Sequence, residues 1–343
     1  MSVNLGAGFE GWLREKLPNA KNLKLADIQV PSSGMSAETR LFSIDYEDPR
    51  PKSERLVLRC GPRGAGIFPD YDLGFQVGVM RSLYPTQVPV PRVRWYEADD
   101  SIIGSPFVVM EHIEGTVPSD TAPGFHGQGL FFQAAVDERA AMWRSGIEQM
   151  ALLHSLDWRS LGLPPLPCAA DNAAATMRGQ IDLLQGWMDW GDMHAIAPIQ
   201  QGMKWLRDTE LPTQRTSLVW GDARPGNIIY RDGEPVALLD WEIASIGLPE
   251  FDLFYWWWSS EMLAEVNHVE RLPGLPGKEE TIAMYEAAAG RSIADVADYA
   301  EKFAVLRLAI MNVLGIKAAV SDAYTHELLL DNCAIKALQA RLD

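Results

Sequence analysis

The hydrophobic pattern of the chain changes character near residue 115. Before that point, short apolar or alternating runs bounded by turn residues predict strands, and one segment at 71–83 has apolar residues at helical spacing. The predicted strands cover residues 28–30, 41–46, 55–59, 93–97 and 107–110. A Ser/Gly-rich turn between the first two strands indicates a hairpin. We therefore expect this part to be β-rich with one inserted helix.

Beyond residue 115 the pattern becomes helical. Apolar residues recurring every three or four positions predict long helices over residues 136–156, 174–188 and 299–320. Strands followed by helices indicate an α+β fold, here with an N-lobe of residues 1–113 and a C-lobe of residues 114–343. A cleft at the joint of two such lobes is a common location for a ligand site.

Composition and charge narrow the possible functions. The chain has 343 residues, of which 47% are hydrophobic, and a formal net charge of −16. This is a globular composition, and the acidity argues against a nucleic-acid-binding protein, which needs a basic surface. The negative charge favours either a cationic substrate or solubility alone, and the composition does not separate the two.

The cysteine spacing, the first residues and a late apolar stretch bear on the cellular location of the protein. The cysteines form no C-x-x-C pair and leave one odd: Cys60, Cys168 and Cys333. A zinc site or disulfide framework is therefore not expected, and a reducing, cytoplasmic setting is. The first residues lack the basic and apolar regions of a secretory signal. The apolar stretch at 303–320 is interrupted by Arg307 and Lys317, which favours a buried amphipathic helix over a membrane span.

The most informative segment is a predicted hairpin with acidic residues at its open end. Residues 227–230 and 235–239 are expected to be its strands, and Asp232-Gly233 is a typical turn pair. An antiparallel pairing would bring Asn227 close to Asp240, with Asp222 on the loop that leads into the first strand.

Three oxygen-bearing side chains at one edge suit phosphoryl transfer. Oxygen ligands suit Mg²⁺, which is commonly held by one or two carboxylates together with phosphate oxygens. A further carboxylate beside the metal can orient or accept the proton of a substrate hydroxyl. Any one of these aspartates alone would more simply be a turn residue. Their joint spacing around two apolar strands favours a catalytic site over a surface hairpin.

Two motifs in this segment resemble those of kinases. The stretch WGDARPGN from Trp220 to Asn227 resembles the protein-kinase loop H-R-D-x-x-x-x-N, and Asp240-Trp241-Glu242 resembles D-F-G. The pattern is closer still to the aminoglycoside phosphotransferase and choline kinase group. Within it, the chain resembles the broad phosphotransferase enzyme family, which includes kinase domains attached to acyl-CoA dehydrogenases. The resemblance covers residues 28–252 and implies a protein-kinase-like fold that uses ATP and Mg²⁺.

The resemblance implies roles for individual C-lobe residues. Asp222 would be the catalytic base, and Asn227 and Asp240 would hold Mg²⁺. Arg224 stands where many kinases have a lysine that touches the γ-phosphate, although it could instead be a surface cation. Asp252 would steady the catalytic loop and have a structural role.

The N-lobe would then clamp the nucleotide. A small-residue loop would cover the phosphates, a strand cation would bind the α- and β-phosphates, and the segment joining the lobes would bind adenine. The alternatives are a plain hairpin turn and an ordinary strand. The residues in question are Ser33, Gly34, Met35 and Ser36 for the loop, Arg59 for the strand, and Glu111 and Ile113 for the linker.

The chain departs from the kinase pattern at several places. Trp220 replaces a largely architectural histidine, and Arg59 replaces the usual strand lysine. Gln76 stands where that lysine's glutamate partner is expected; it could hydrogen-bond Arg59, and Asp72, one turn earlier, could supply the charge. Glu242 in place of glycine is normal for the small-molecule group. The changes at Arg59 and Gln76 leave a nucleotide-binding pseudokinase with a regulatory role as the alternative.

The segment after Asp240 indicates the kind of acceptor. The chain reaches residues 249–253 almost at once, which leaves no room for the activation loop that protein kinases use to hold peptides. We therefore expect a small-molecule acceptor, such as an aminoglycoside-like compound, an amino alcohol or a hydroxyacyl compound. His154 is interpreted as a buried core histidine. The aromatic run at 254–258 is interpreted as core packing that could also line an apolar pocket.

Overall fold

The chain folds into a small lobe on an antiparallel sheet and a larger, mostly helical lobe. The computed structural model describes residues 6–29, 38–61, 66–69, 71–212, 215–320 and 329–342. The N-lobe elements are α1 (Ala7–Lys16), β1 (Lys21–Gln29), β2 (Glu38–Glu47), β3 (Pro51–Cys60), α2 (Leu73–Leu83), β4 (Val93–Glu97) and β5 (Phe107–Glu111). The C-lobe elements are α3 (Gly129–Gln133), α4 (Val136–Ser155), α5 (Ala173–Trp190), α6 (Ala197–Asp208), β6 (Ser217–Val219), β7 (Ile228–Arg231), β8 (Glu234–Leu238), β9 (Ser245–Gly247), α7 (Glu250–Val266), α8 (Lys278–Ala289), α9 (Ala297–Val320) and α10 (Cys333–Leu342). The predicted α+β fold is confirmed.

The N-lobe sheet divides its side chains between two cores. Its strands are antiparallel in the order β1-β2-β3-β5-β4. Because side chains alternate across a strand, Phe107 and Val109 of β5 pack in one core with α1, where the Trp12 ring lies 4.7 Å from that of Phe107. Val108 and Met110 face the opposite core.

That second core is continuous between the lobes. The apolar face of α2, including Val77 and Met80, lies in the same buried cluster as Val108 and most of the C-lobe interior. Burying each such side chain stabilises the fold by about 1.5–3 kcal/mol, so α2 is fixed to both lobes by packing.

The predicted hairpin at 227–239 is present. Ile228 of β7 pairs with Leu238 of β8, and the turn residues Asp232 and Gly233 have φ angles of +53° and +84°. Two positive φ angles are what a type I′ turn requires. The first strand begins at Ile228, one position later than predicted, because residues Pro225–Asn227 form a short 3₁₀ turn in which proline has no N–H to pair.

The aromatic run after Asp240 lies in α7. Phe254, Tyr255 and Trp256 are buried, and the Phe251 ring stacks on Phe303 of α9 with centroids 3.6 Å apart. The run therefore packs the helical core as expected. Within the described ranges, no helix has both the length and the apolar character needed to cross a membrane.

Candidate active site

Asp252 anchors the loop that connects β6 to β7. One oxygen of this α7 carboxylate accepts the main-chain N–H of Trp220 at 2.6 Å, and the other accepts that of Gly221 at 2.9 Å. Gly221 has a φ of +92°, and a Cβ there would overlap the carbonyl oxygen of Ile243. The position therefore needs glycine. Asp252 lies within the fold and is placed to hold the loop's main chain.

Asp252 is held in turn by His154 of α4. The His154 Nε2 lies 3.0 Å from Asp252 Oδ2, and Nδ1 lies 2.8 Å from the Tyr285 hydroxyl. Since a carboxylate only accepts, Nε2 carries the proton of that contact. His154 is thus a buried histidine with both nitrogens satisfied, in agreement with its interpretation as a core residue.

The Asp222 carboxylate is surrounded by donors. The Tyr255 hydroxyl donates to Oδ1 at 2.6 Å, and the Asn227 amide donates to Oδ2 at 2.7 Å. The Arg224 Nε–H is shared between the two oxygens, at 3.1 and 3.0 Å. Burial alone would raise the pKa of Asp222, but the charge of Arg224 and these hydrogen bonds outweigh it and hold the pKa below its usual value.

Arg224 bridges two carboxylates. Besides Asp222, its guanidinium pairs through Nη1 with Asp120, which lies on the segment following the lobe linker. Burial would lower the pKa of Arg224, but the charges of Asp222 and Asp120 raise it above the ordinary arginine value. The side chain is therefore engaged with carboxylates and stays charged.

Asn227 connects the loop to the hairpin. Its side-chain amide nitrogen also donates to the main-chain carbonyl of Asp222 at 2.9 Å. The main-chain carbonyl of Asn227 accepts the N–H of Leu239 at 2.8 Å. Asn227 is thereby placed opposite the residue that precedes Asp240, as the predicted pairing requires. The side-chain oxygen of Asn227 receives no hydrogen bond from the described residues.

Arg59 reaches from the N-lobe sheet to Asp240. Its Nη2 lies 3.2 and 3.3 Å from the two Asp240 oxygens. Burial would lower the pKa of Arg59, but Asp240, Tyr71 and Glu242 raise it. Asp240 has a φ of +60°, a conformation that aspartate tolerates better than most residues and that sets the chain direction after β8.

The residues expected to pair with Arg59, Gln76 of α2 and its N-cap Asp72, form no hydrogen bond or ion pair with it among the described residues. Asp72 is the N-cap of α2 and accepts the N–H of Phe75 at 3.0 Å. The expectation that Asp72 supplies the missing charge is therefore wrong, since a capping carboxylate is committed to the helix end. Gln76 is buried, and no hydrogen bond joins it to Arg59. Across the described ranges, the carboxylate that pairs with Arg59 is Asp240.

Glu242 is a half-buried residue whose carboxylate has one buried, unsatisfied oxygen. Its Oε2 has no hydrogen-bond partner among the described residues. Burial, and then the charge of Asp240, raise its pKa to about 8. Asp240 and Glu242 therefore form a place where a positive charge would be stabilised.

The predicted nucleotide-binding residues of the N-lobe are only partly visible. Ser33, Gly34, Met35 and Ser36 lie outside the described residues. Glu111 is tied to Arg92, because its N–H donates to the Arg92 carbonyl at 3.0 Å and its side chain accepts the Arg92 N–H at 2.8 Å. The main-chain groups of Ile113 make no hydrogen bond within the described ranges.

A separate groove lies on the C-lobe. It encloses about 810 Å³ between α4 and α8, with Leu152 and Met284 among its lining residues. Neither the 220–227 loop nor the hairpin contributes to its lining. It is therefore distinct from the cluster around Asp222.

Two residues of this cluster were not predicted as site residues from the sequence. Tyr255 was interpreted as core packing because it lies within an aromatic run. Asp120 lies 104 positions before Arg224 in a loop without a motif. No local pattern in the sequence distinguishes either of them.

Comparison with known proteins found a matching family model and several relatives. The model of the phosphotransferase enzyme family matches residues 27–303. The chain is similar to acyl-CoA dehydrogenase family member 11 of Rattus norvegicus, with 30% identity over 287 residues, covering 81% of this chain and 34% of that protein. The Homo sapiens protein of the same name is 30% identical over 242 residues, covering 68% and 29%. The chain thus spans about a third of the length of these relatives.

Solved structures share the fold over nearly the whole chain. A Ralstonia eutropha protein described as a candidate aminoglycoside phosphotransferase has a TM-score of 0.69 at 22% identity, covering 98% of this chain and 95% of that one. The ADP-bound aminoglycoside phosphotransferase APH(2'')-Ib has a TM-score of 0.58 at 16% identity, covering 98% of each chain. The macrolide 2'-phosphotransferase MphH of Brachybacterium faecium has a TM-score of 0.53 at 17% identity, covering 97% of each.

Proposed function

We propose that this chain, which belongs to the phosphotransferase enzyme family, transfers the terminal phosphate of ATP to a hydroxyl group of a small molecule with the help of Mg²⁺. The main support is the arrangement of Asp222 beside Asn227 at the open end of the hairpin that continues into Asp240. The acidic loop and the hairpin end thus supply a proton acceptor and oxygen ligands at one edge.

The reaction follows from the chemistry of these groups. The acceptor hydroxyl gives its proton to the Asp222 carboxylate while its oxygen forms a bond to the γ-phosphorus of ATP. The bond from that phosphorus to the β–γ bridging oxygen breaks, and its electron pair leaves with ADP. The products are a phosphate monoester, ADP and a protonated Asp222, which returns its proton to water. The depressed pKa of Asp222 keeps it ionised and ready at neutral pH.

The donor set fits a hard divalent cation. Asp240 and Asn227 would hold Mg²⁺ through oxygen, and the unsatisfied Glu242 carboxylate beside Asp240 supports a cation there. Within the described ranges no group of three or more His, Cys, Asp or Glu residues is placed to hold a metal ion. A site with one or two protein ligands would take its other oxygens from phosphates and water. When bound, Mg²⁺ neutralises phosphate charge.

The N-lobe would position the nucleotide. Arg59 is the cation on the β3 strand and would bind the α- and β-phosphates, since its guanidinium already lies next to Asp240. The main-chain groups of Ile113, which make no hydrogen bond in the described ranges, support the proposal that adenine binds at the linker. For Glu111 only the carbonyl could serve, because its N–H is used by Arg92. Ser33 to Ser36 remain part of the proposal.

The short connection after Asp240 supports a small acceptor over a protein. Asp240 is followed by β9 and directly by α7, so the segment offers no peptide platform. Phosphotransferases of aminoglycosides and macrolides are among the structural neighbours, whereas the acyl-CoA dehydrogenase relatives are matched over only a third of their length. We retain aminoglycoside-like compounds, amino alcohols and hydroxyacyl compounds as acceptor classes, with a cytoplasmic location and no nucleic-acid or membrane partner.

One observation favours a second candidate function. Arg59 pairs with Asp240, the proposed metal ligand, and α2 offers it no carboxylate. If this pair persisted with nucleotide bound, the metal would have to compete with Arg59, and the protein would be a nucleotide-binding pseudokinase. ATP turnover separates the two proposals, because a pseudokinase would bind nucleotide without consuming it.

The test is to incubate the protein with γ-labelled ATP, Mg²⁺ and a fractionated metabolite extract, and to identify by mass spectrometry any compound that gains a phosphate. The Asp222→Asn variant serves as the inactive control. A labelled product with the wild type alone would support the phosphotransferase. Nucleotide binding without any product in every fraction would favour the pseudokinase.

A further inference from the structure

Three donors cover both oxygens of the Asp222 carboxylate. A carboxylate offers about four lone-pair sites on its two oxygens. In this structure Oδ1 accepts from Tyr255 and Arg224, and Oδ2 accepts from Arg224 and Asn227. An acceptor hydroxyl can donate its proton to Asp222 only when one of these donors withdraws.

Arg224 is the donor best able to withdraw. Tyr255 is 4% exposed in the helical core, and Asn227 is held by a second hydrogen bond to the Asp222 carbonyl. The Arg224 side chain is 29% exposed, and its single Nε–H is divided between both carboxylate oxygens. Its departure would open one site on each oxygen without breaking the packing of the loop.

Asp120 holds the other end of the same guanidinium. It pairs with Nη1 of Arg224 and also lies against the main chain of Gly226, where an added Cβ would stand 2.5 Å from the Asp120 Cγ. Any residue larger than glycine at 226 would displace this carboxylate, because real Cβ contacts are never that short. Glycine at 226 therefore leaves free the space that the Asp120 carboxylate occupies.

The segment that carries Asp120 is tied to β7 at its start and is cross-linked within itself. Thr116 exchanges two main-chain hydrogen bonds with Tyr230 of β7, at 2.8 and 2.9 Å. The Gln128 amide donates to the Thr121 carbonyl at 2.7 Å and to the Ser119 hydroxyl at 3.2 Å. The main chain that carries Asp120 is thus constrained, and the Asp120 side chain, which is 38% exposed, extends from it to Arg224.

We propose that Asp120 is a positioning residue that keeps Arg224 on Asp222 until the terminal phosphate of ATP competes for the guanidinium. When the phosphate draws Arg224 away, Asp222 gains a vacant lone pair and can take the acceptor's proton. ATP would then bind before the acceptor, and the base would be uncovered only when a γ-phosphate is present. This inference rests on the proposed function.

The test measures how well the protein distinguishes a nucleotide with a γ-phosphate from one without. Isothermal titration calorimetry with Mg²⁺ gives the Kd for ADP and for the non-hydrolysable analogue adenylyl-imidodiphosphate, and their ratio reports the contact to the γ-phosphate. Four proteins are compared with the wild type: Asp120→Asn, Arg224→Gln, the double variant and Asp232→Asn. Asp232 lies in the exposed hairpin turn, so the last variant removes a negative charge far from Arg224 while keeping a residue that tolerates positive φ.

We expect Asp120→Asn to raise the preference for the triphosphate analogue by about three- to fivefold, as for release of a partly exposed ion pair. Asp232→Asn should leave the ratio unchanged. The double variant should match Arg224→Gln, because the effect of Asp120 acts through Arg224.

Three outcomes would overturn the inference. The first is a ratio for Asp120→Asn equal to that of the wild type, which would leave Asp120 as a surface residue or an acceptor contact. The second is a gain that persists without Arg224, which would mean simple repulsion between Asp120 and phosphate. The third is a wild type that binds neither nucleotide, which would reject the proposed function as well. The first two outcomes leave the proposed function standing.

Discussion

At the scale of single residues, Asp222 is the proposed base and its neighbours set its charge state. A buried carboxylate would normally resist ionisation, but Arg224, Tyr255 and Asn227 all stabilise its charge. The residue therefore combines a mostly buried position with an ionised form that can receive a proton. Each of its donors has a separate and testable effect.

Replacing Asp222 by asparagine should abolish transfer and leave nucleotide binding nearly intact. The amide keeps the shape of the carboxylate but cannot take a proton, so we expect kcat to fall by a factor of about 10² to 10⁴. The Kd for MgADP should stay close to that of the wild type, since Asp222 is not a proposed nucleotide ligand. Full retained activity would remove Asp222 from the mechanism.

Replacing Tyr255 by phenylalanine tests the donor that the sequence did not indicate. The ring and its packing are kept, and the hydrogen bond to Asp222 Oδ1 is lost. We expect stability to fall by only about 1 kcal/mol, with little change in the KM for ATP. We expect kcat to fall by about tenfold, because the buried phenyl ring leaves Oδ1 without its donor and gives the acceptor no access to that side. Urea unfolding and steady-state kinetics check this. An equal fall in stability with unchanged kcat would limit Tyr255 to a structural role.

At the scale of elements, the site depends on loops that are pinned by side chains from distant helices. Asp252 of α7 binds the main chain at Trp220 and Gly221, and His154 of α4 binds Asp252. His126 fixes the segment that carries Asp120 by bonding to main-chain groups elsewhere in the C-lobe. Its Nε2 lies 2.9 Å from the Ser260 carbonyl, and its Nδ1 accepts the N–H of Leu272 at 3.1 Å.

His126 should make stability depend on pH. Burial lowers its pKa to about 4, well below the ordinary value of 6.5. Between these values the unfolded chain binds a proton that the folded chain does not, so stability falls as pH decreases from 6.5 towards 4. The loss should be on the order of 2–3 kcal/mol at the acid end, measured by urea unfolding across this range.

The control for this prediction is His126→Gln, which keeps hydrogen-bonding groups but does not titrate. Its stability should be lower than that of the wild type at neutral pH and should vary less between pH 6.5 and 4. If both proteins lost stability equally over this range, His126 would not be the responsible group.

At the scale of the whole molecule, a continuous core joins the lobes, and ion pairs between them include Arg59 with Asp240 and Arg55 with Glu114. The cluster that includes α2 and the inner face of β5 continues into the C-lobe, and Arg59 of β3 pairs with Asp240 beyond β8. The proposed nucleotide site lies at this joint. A ligand bound there contacts both lobes and should stabilise the fold as a unit.

Nucleotide with Mg²⁺ should therefore raise the melting temperature. Binding to the folded state alone adds about 2.7 kcal/mol when the ligand is at a hundredfold excess over its Kd. We expect a clear upward shift with Mg²⁺ and adenylyl-imidodiphosphate, a smaller one with the nucleotide and EDTA, and none with Mg²⁺ alone. Differential scanning fluorimetry checks this. The control variant Asp232→Asn, changed in the exposed hairpin turn, should show the same shifts as the wild type. A shift that is insensitive to EDTA would argue against metal-dependent binding.

The local arrangement of the hairpin was predictable because it depends on neighbours in the sequence. Asp232-Gly233 specifies the turn, the apolar runs on either side specify the strands, and the register then places Asn227 opposite Leu239, next to Asp240. The order of strands and then helices likewise predicted the two lobes. The prediction that Asp72 pairs with Arg59 was wrong, because an aspartate at this position can serve either as a helix cap or as an ion-pair partner. Sequence spacing does not distinguish these roles.

The sequence by itself determined the secondary structure around residues 222–240 and the residue types that suit phosphoryl transfer, since both depend on short-range spacing. Only the tertiary structure decided which distant groups meet there. Arg59 and Asp240 are 181 positions apart, and Arg224 and Asp120 are 104 apart. Packing of whole elements brings such pairs together, and packing depends on the combined shape of many buried side chains. For that reason Tyr255 and Asp120 emerged only from the folded molecule.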